Sequence, residues 1–135
     1  MVLVTLGILT ASATPLFIGY YQGARLKVAA ETLATFLNQG RQLGIKENAG
    51  ACVHRSSTTL HSYLGTAVAG ACPGTPVATL TMPAAITVTA STNPITFDYL
   101  GGVIAPTSYV LTNPQDGRSL LVTVAITGRI SIKAP

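Results

Sequence analysis

The sequence predicts an α+β fold, one long N-terminal helix packed on a C-terminal antiparallel β-sheet domain. Three observations carry this. Met1 to Tyr21 contains no charged residue, and the first ionised side chain is Arg25. A one-sided helical pattern follows without a break. From Ala51 onward the apolar residues recur with period two.

The opening run, MVLVTLGILTASATPLFIGYY, is apolar all round apart from Thr and Ser. A secretory signal would need a basic n-region and a small-residue cleavage site, and neither is present. A buried core helix of this length is usually amphipathic. A membrane span needs about 20 apolar residues, which Met1–Tyr21 reaches, with Pro15 and Gly19 as weak points and Gly7 and Pro15 marking where the helix packs closely or kinks. Residues 1–24 are therefore expected to be an apolar membrane or filament-core helix, and 25–135 a globular domain.

Beyond Tyr21 the helix changes type. Leu26, Ala30, Leu33, Leu37, Gly40 and Gly44 recur at helical steps, while Lys27, Glu31, Thr35, Asn38 and Gln42 hold the other face. That is an amphipathic helix over 25–47 whose stripe must cover a sheet. Asn48 and Gly50 stop it.

The β domain is expected over 50–133. Early strands fit Ala51–Arg55 and Thr58–Tyr63, and 67–76, rich in Gly, Ala and Pro, reads as a loop. Ile86, Val88 and Ala90 alternate with Thr87 and Thr89. Ile95, Phe97 and Tyr99 alternate with Thr96 and Asp98, which places Tyr99 inward with Tyr109 and Asp98 outward. Asn113 to Gly117 is a turn between Tyr109–Leu111 and a long strand carrying Leu120, Val122, Val124 and Ile126 on one face. Ile130 and Ile132 continue after a turn at Thr127-Gly128, and Gly101-Gly102 reads as a turn or bulge.

Composition points to a membrane or an assembly partner. Mean hydropathy is +0.49, and charged residues make up 9% of the chain against about 25% in ordinary soluble domains. The net charge of +4 permits contact with anionic lipid or nucleic acid without demanding it. The four carboxylates, Glu31, Glu47, Asp98 and Asp116, show no pairing suited to acid–base chemistry. Cys52, His54 and His61 could be imagined as metal ligands, but exposed strand histidines near a disulfide are the stronger reading, and no metal is expected. Phosphate-loop, dinucleotide and nucleophile-elbow motifs are missing, so neither an enzyme nor a cofactor is expected. Cys52 and Cys72 form one disulfide if the domain is exported, and are two separate buried thiols otherwise. Arg118, Arg129 and Lys133 lie near the C-terminal hairpin. They are either a weak, salt-sensitive DNA contact or an ordinary solvated face.

The order of these parts resembles the type IV pilin-like family. In VLVTLGILTASATPLFIGYY, Gly7 and Pro15 match a glycine and proline spacing of that family's N-terminal helix. LATFLNQGRQLGIKENAGACV resembles the second helix half and first strand of the GspH/FimT branch, the family of the type II secretion minor pseudopilin H, with Arg41 and Ile45-Lys46 as the matching positions. ITFDYLGGVIAP and GRSLLVTVAITGRISI resemble its closing strands through Phe97, Gly101, Gly128, Arg129 and Ile130. The chain departs from the family in lacking a basic leader and the glutamate near the start of the mature helix; aligned on Gly7 and Pro15, Met1 falls inside that helix. A Gly-Arg-x-Arg motif of DNA-uptake members is met by Gly128 and Arg129, but Ser131 replaces the second arginine and Lys133 lies nearby.

The resemblance implies a structural subunit of a type II secretion or type IV pilus filament. Its helix would sit in the inner membrane, single pass, with the domain in the periplasm. It would then pack among other pilin or pseudopilin helices in a periplasmic or extracellular filament. Gly7, Ala11, Ala13 and Pro15 are the positions expected to pack there, because lipid-to-bundle transfer yields little hydrophobic gain and small residues allow close approach. The alternatives are a minor pilin that binds DNA during uptake and the major subunit of an extracellular filament. A different class, a generic anchored β domain, would have a polar linker between its helices.

Overall fold

The computed structural model describes residues 2–134, with side chains at 4, 5, 7, 8 and 19–134. One helix, α1, runs unbroken over Val2–Lys46. It ends because Asn48 and Gly50 adopt left-handed φ values of 53° and 76°, and the amides of Ala49 and Gly50 both return to the carbonyl of Gly44.

Eight strands follow: β1 Ala51–Ser56, β2 Thr59–Leu64, β3 Ala78–Thr81, β4 Thr87–Ala90, β5 Ile95–Phe97, β6 Thr107–Thr112, β7 Ser119–Val124 and β8 Ile130–Lys133. They divide into two four-stranded sheets, ordered β3-β2-β1-β5 and β4-β6-β7-β8. Every pairing is antiparallel. The alternation of Thr107–Thr112 is complete, with Thr107, Tyr109 and Leu111 buried and the residues between them half-buried.

All six residues of the expected helix stripe, Leu26, Ala30, Leu33, Leu37, Gly40 and Gly44, are buried. The four with side chains beyond glycine, Leu26, Ala30, Leu33 and Leu37, form one core with Ile86 and with Val53, Leu60, Ile95, Phe97, Tyr109, Leu111, Val122 and Val124 from both sheets. The two glycines let the helix lie close on β1. A Cβ at Gly44 would come within 2.7 Å of the Gly50 carbonyl carbon, and one at Gly40 within 3.4 Å of Val53 Cγ2.

Three details differ from the sequence expectation. Tyr99 is 55% exposed, because the strand stops at Phe97 and Asp98 turns its carboxylate onto the following loop, accepting from the amides of Leu100 and Gly102 at 2.9 Å each. Ile126 is likewise exposed, because β7 ends at Val124 and the turn to β8 begins. The strand β3 has no counterpart in the sequence reading; it is a short edge strand with three of its four residues exposed.

Candidate functional site: the projecting helix and the foot of the domain

Among the described side chains of α1, the buried ones begin at Leu26. From Leu26 onward one helix face is buried, whereas Val4 and Ile8 are each 64% exposed. At 1.5 Å per residue, the segment from Val2 to Gly19 is about 26 Å long. Among the described residues, a Cβ at Gly7 meets nothing within 4 Å. Ala11, Ala13 and Pro15, the rest of the expected packing set, lie outside the described residues. Among the described residues, no helix is long and apolar enough to cross a membrane.

Where the helix enters the domain, side-chain amides fix it. The Asn113 Nδ2 donates to Gln22 Oε1 at 2.6 Å, and Gln22 Nε2 donates to Gln115 Oε1 at 2.7 Å. Asn113 is buried, and its Oδ1 accepts from the Gln115 amide. The turn that the sequence marks at 113–117 thus reaches across to the helix.

The same foot gathers cations. Lys27, Arg118 and Lys133 line one cleft of about 470 Å³ with Gly23, Leu26 and Ile132. Arg118 and Lys27 also line a second, adjoining cleft with Tyr20 and Gly23. The Arg118 guanidinium reaches the helix, with Nη1 3.5 Å from the Gly19 carbonyl oxygen. Its ion pair with Asp116, at 3.6 Å, is largely solvated. Of the three cations expected near the C-terminal hairpin, Arg118 and Lys133 share this cleft. Arg129 sits at the other end of the β7–β8 hairpin, beside Gly128, because strand register carries Lys133 opposite Leu121 and Ile130 opposite Val124. Lys27 completes the foot, and its place on the polar helix face at the level of Gly23 is the signal that marks it.

At the opposite pole, the Arg41 Nε donates to the Gly101 carbonyl at 2.8 Å. Gly128 packs directly on that carbonyl, leaving no room for a Cβ. Arg41, Gly101 and Gly128, matched to one family at the sequence level, are here in one contact.

Cys52 and Cys72 form a disulfide, with Cα atoms 5.6 Å apart. It ties the loop 65–77 to buried β1 and removes Cys52 from any metal set. His54 and His61 face each other across the β1–β2 ladder, and the His61 Nδ1 lies 3.2 Å from Thr79 Oγ1. Among the described residues, no group of three or more His, Cys, Asp or Glu comes together. Burial pushes the Tyr109 hydroxyl well above its ordinary range, with Arg55 opposing the shift.

The fold is that of several solved pilin-like proteins. The type IV minor pilin FimU of Pseudomonas aeruginosa superposes with a TM-score of 0.70 at 17% identity, covering 86% of this chain and 96% of that one. The minor pseudopilin EpsH of the Vibrio cholerae type 2 secretion system gives 0.64 at 15% identity, covering 82% and 98%. The solution structure of GspH from E. coli gives 0.65 at 10% identity, covering 82% and 89%. No curated protein matches the sequence. The family model for the type II transport protein GspH matches residues 29–128. That span takes in the helix stripe from Ala30 to Gly44, strands β1 to β7 and the Arg41–Gly101–Gly128 contact, and the chain belongs to the GspH family.

Proposed function

We propose that this chain is a minor subunit of a type II secretion or type IV pilus filament. Its helix holds it in the inner membrane before assembly and packs among the helices of neighbouring subunits afterwards. The observation that carries the reading is the division of α1. Its second half is buried by its own domain, while Val4 and Ile8 project beyond it as exposed apolar side chains. A subunit whose domain cannot cover that half of the helix needs lipid or other helices to cover it. Between helices, where lipid is as apolar as the side chains, close approach at Gly7, Ala11 and Ala13 supplies the gain.

Gly7→Leu tests this. Among the described residues a Cβ at Gly7 meets nothing within 4 Å, so the variant is expected to keep the fold of the domain. Filaments sheared from cells carrying the complete assembly system are expected to contain the wild-type chain and to lack the variant. Equal incorporation of both would overturn helix packing at this position.

A further inference from the structure

We propose that the foot of the domain is a docking surface for the anionic headgroups of a phospholipid bilayer, with Lys27, Arg118 and Lys133 as the contacts. The inference rests on the membrane-resident helix proposed above and adds what the domain does while the helix is in lipid. Three positive side chains from three separate segments, α1, the β6–β7 turn and the end of β8, converge on adjoining clefts around Gly23. Among the described residues, Asp116 pairs with Arg118 at 3.6 Å while the guanidinium side chain stays 58% exposed, and Glu31 lies one helical turn from Lys27, which leaves three cations against two carboxylates. The cluster therefore keeps a net positive charge open to solvent.

The position of the cluster selects the occupant. It lies where the helix enters the domain, at the boundary between the uncharged run that closes at Tyr21 and the first ionised side chain, Arg25, which is where an apolar helix meets the headgroup layer. Tyr20 and Tyr21 lie at the same level and are 77% and 54% exposed. Exposed aromatic rings of this kind, apolar with one polar tip, settle at the headgroup boundary of a membrane. Arg25 stands over the Tyr21 ring at 5.7 Å, adding a further cation at that depth. The amide contacts of Gln22 with Asn113 and Gln115 fix the helix to this underside, so insertion of the helix presses these cations onto the bilayer surface. A nucleic-acid duplex would have to approach the same cations past the projecting helix. Each Lys or Arg at an anionic surface is worth about 1 kcal/mol, or about a fivefold change in occupancy. The effect is enough to hold the domain upright without trapping it.

The test uses the full chain reconstituted in vesicles of phosphatidylcholine alone, or of phosphatidylcholine mixed with phosphatidylglycerol. A water-soluble acetylating reagent reads the lysines by mass spectrometry. Lys46 is exposed at the other end of the helix, about 28 Å from Lys27, and serves as the internal reference. In the anionic vesicles Lys27 and Lys133 are expected to label about fivefold more slowly relative to Lys46, with the difference lost in high salt. Arg118→Glu should restore most of their labelling. Equal ratios in the two vesicle types, in a chain that still floats with them in high salt, overturn the headgroup contact alone. A chain that fails to float in high salt overturns the membrane reading, and the headgroup contact with it. Slowed labelling that Arg118→Glu does not relieve marks a general surface effect and overturns the contact. Stronger protection by duplex DNA than by anionic vesicles assigns the foot to nucleic acid instead.

Discussion

The Arg41 Nε donates to the carbonyl of Gly101 at 2.8 Å, joining the last turns of α1 to the loop after β5. Gly101 has φ of +89°, and Gly128, with φ of +82°, presses on the same carbonyl. One side chain therefore ties three segments that are far apart in sequence. Glycine is required twice, because a Cβ at either position would meet Arg41 or the Gly101 backbone.

Arg41→Ala should cost about 1.5–3 kcal/mol, the worth of a hydrogen bond from a charged donor together with the acceptor it leaves unpaired. Gly128→Ala should cost more, since backbone strain of about 1–3 kcal/mol adds to a direct clash. Gly117→Ala is the control. Its φ is +73° but a Cβ there meets nothing within 4 Å, so it carries the strain alone. Urea unfolding of the three variants should rank them in that sense, and Gly117→Ala proving the most damaging would refute the packing account.

The amide pair at the other pole predicts a local effect. Asn113 is buried, and its Nδ2 is satisfied by Gln22. Asn113→Ala removes that bond and exposes the foot, at about 1–3 kcal/mol. Amide hydrogen exchange should speed up in Gln22–Leu26 and in the 113–118 turn, while β1 and β2 stay protected. Uniform loss of protection across both sheets would mean that Asn113 supports the whole core rather than the junction.

How much of this was legible in the sequence depends on how local each feature is. The helix stripe and its stop at Asn48 and Gly50 follow from helical period and left-handed backbone, and both stand. Strand alternation identifies the inward residues of β6 and β7, but it gives no warning that Asp98 would cap a loop and leave Tyr99 outside. Nothing local marks the division of the strands into two sheets, since pairing is decided by contacts distant in sequence. The cations show the same limit. Arg118, Arg129 and Lys133 look like one cluster because they are near in sequence, yet a hairpin places its turn at one pole and its ends at the other. Lys27, far away in sequence, is the true neighbour of Arg118 and Lys133.

The disulfide predicts a redox dependence. Cys52 and Cys72 are 20 residues apart, and closing a loop of this size stabilises by about 3 kcal/mol in the chain-entropy model. Reduction, or a Cys52→Ser and Cys72→Ser double variant, should lower the urea midpoint accordingly. The segment 65–77, held otherwise by few backbone bonds such as Val68 with Ala71, should become the first site of limited proteolysis. An unchanged midpoint would show that the loop is held by packing alone.

Tyr109 predicts the alkaline limit of the fold. Its ring is fully buried and, among the described residues, its hydroxyl has no hydrogen-bond partner. Burial raises its pKa, with Arg55 pulling the other way. A group whose pKa is raised on folding binds its proton more tightly in the folded state, so stability is intact below the ordinary tyrosine value of about 10. It is lost as pH rises above that, where the unfolded chain ionises and the folded one resists. Tyr109→Phe deletes both the titration and the unpaired hydroxyl while keeping the ring that fills the core. Its stability at neutral pH should be equal to wild type or higher, since removing an unsatisfied buried group is neutral or favourable. Its fall in unfolding free energy above about pH 10 should be shallower. Parallel urea titrations of both proteins across that range decide the matter. A variant that falls as steeply as wild type would assign the alkaline loss to other groups, and one destabilised at neutral pH would reveal a partner for the hydroxyl.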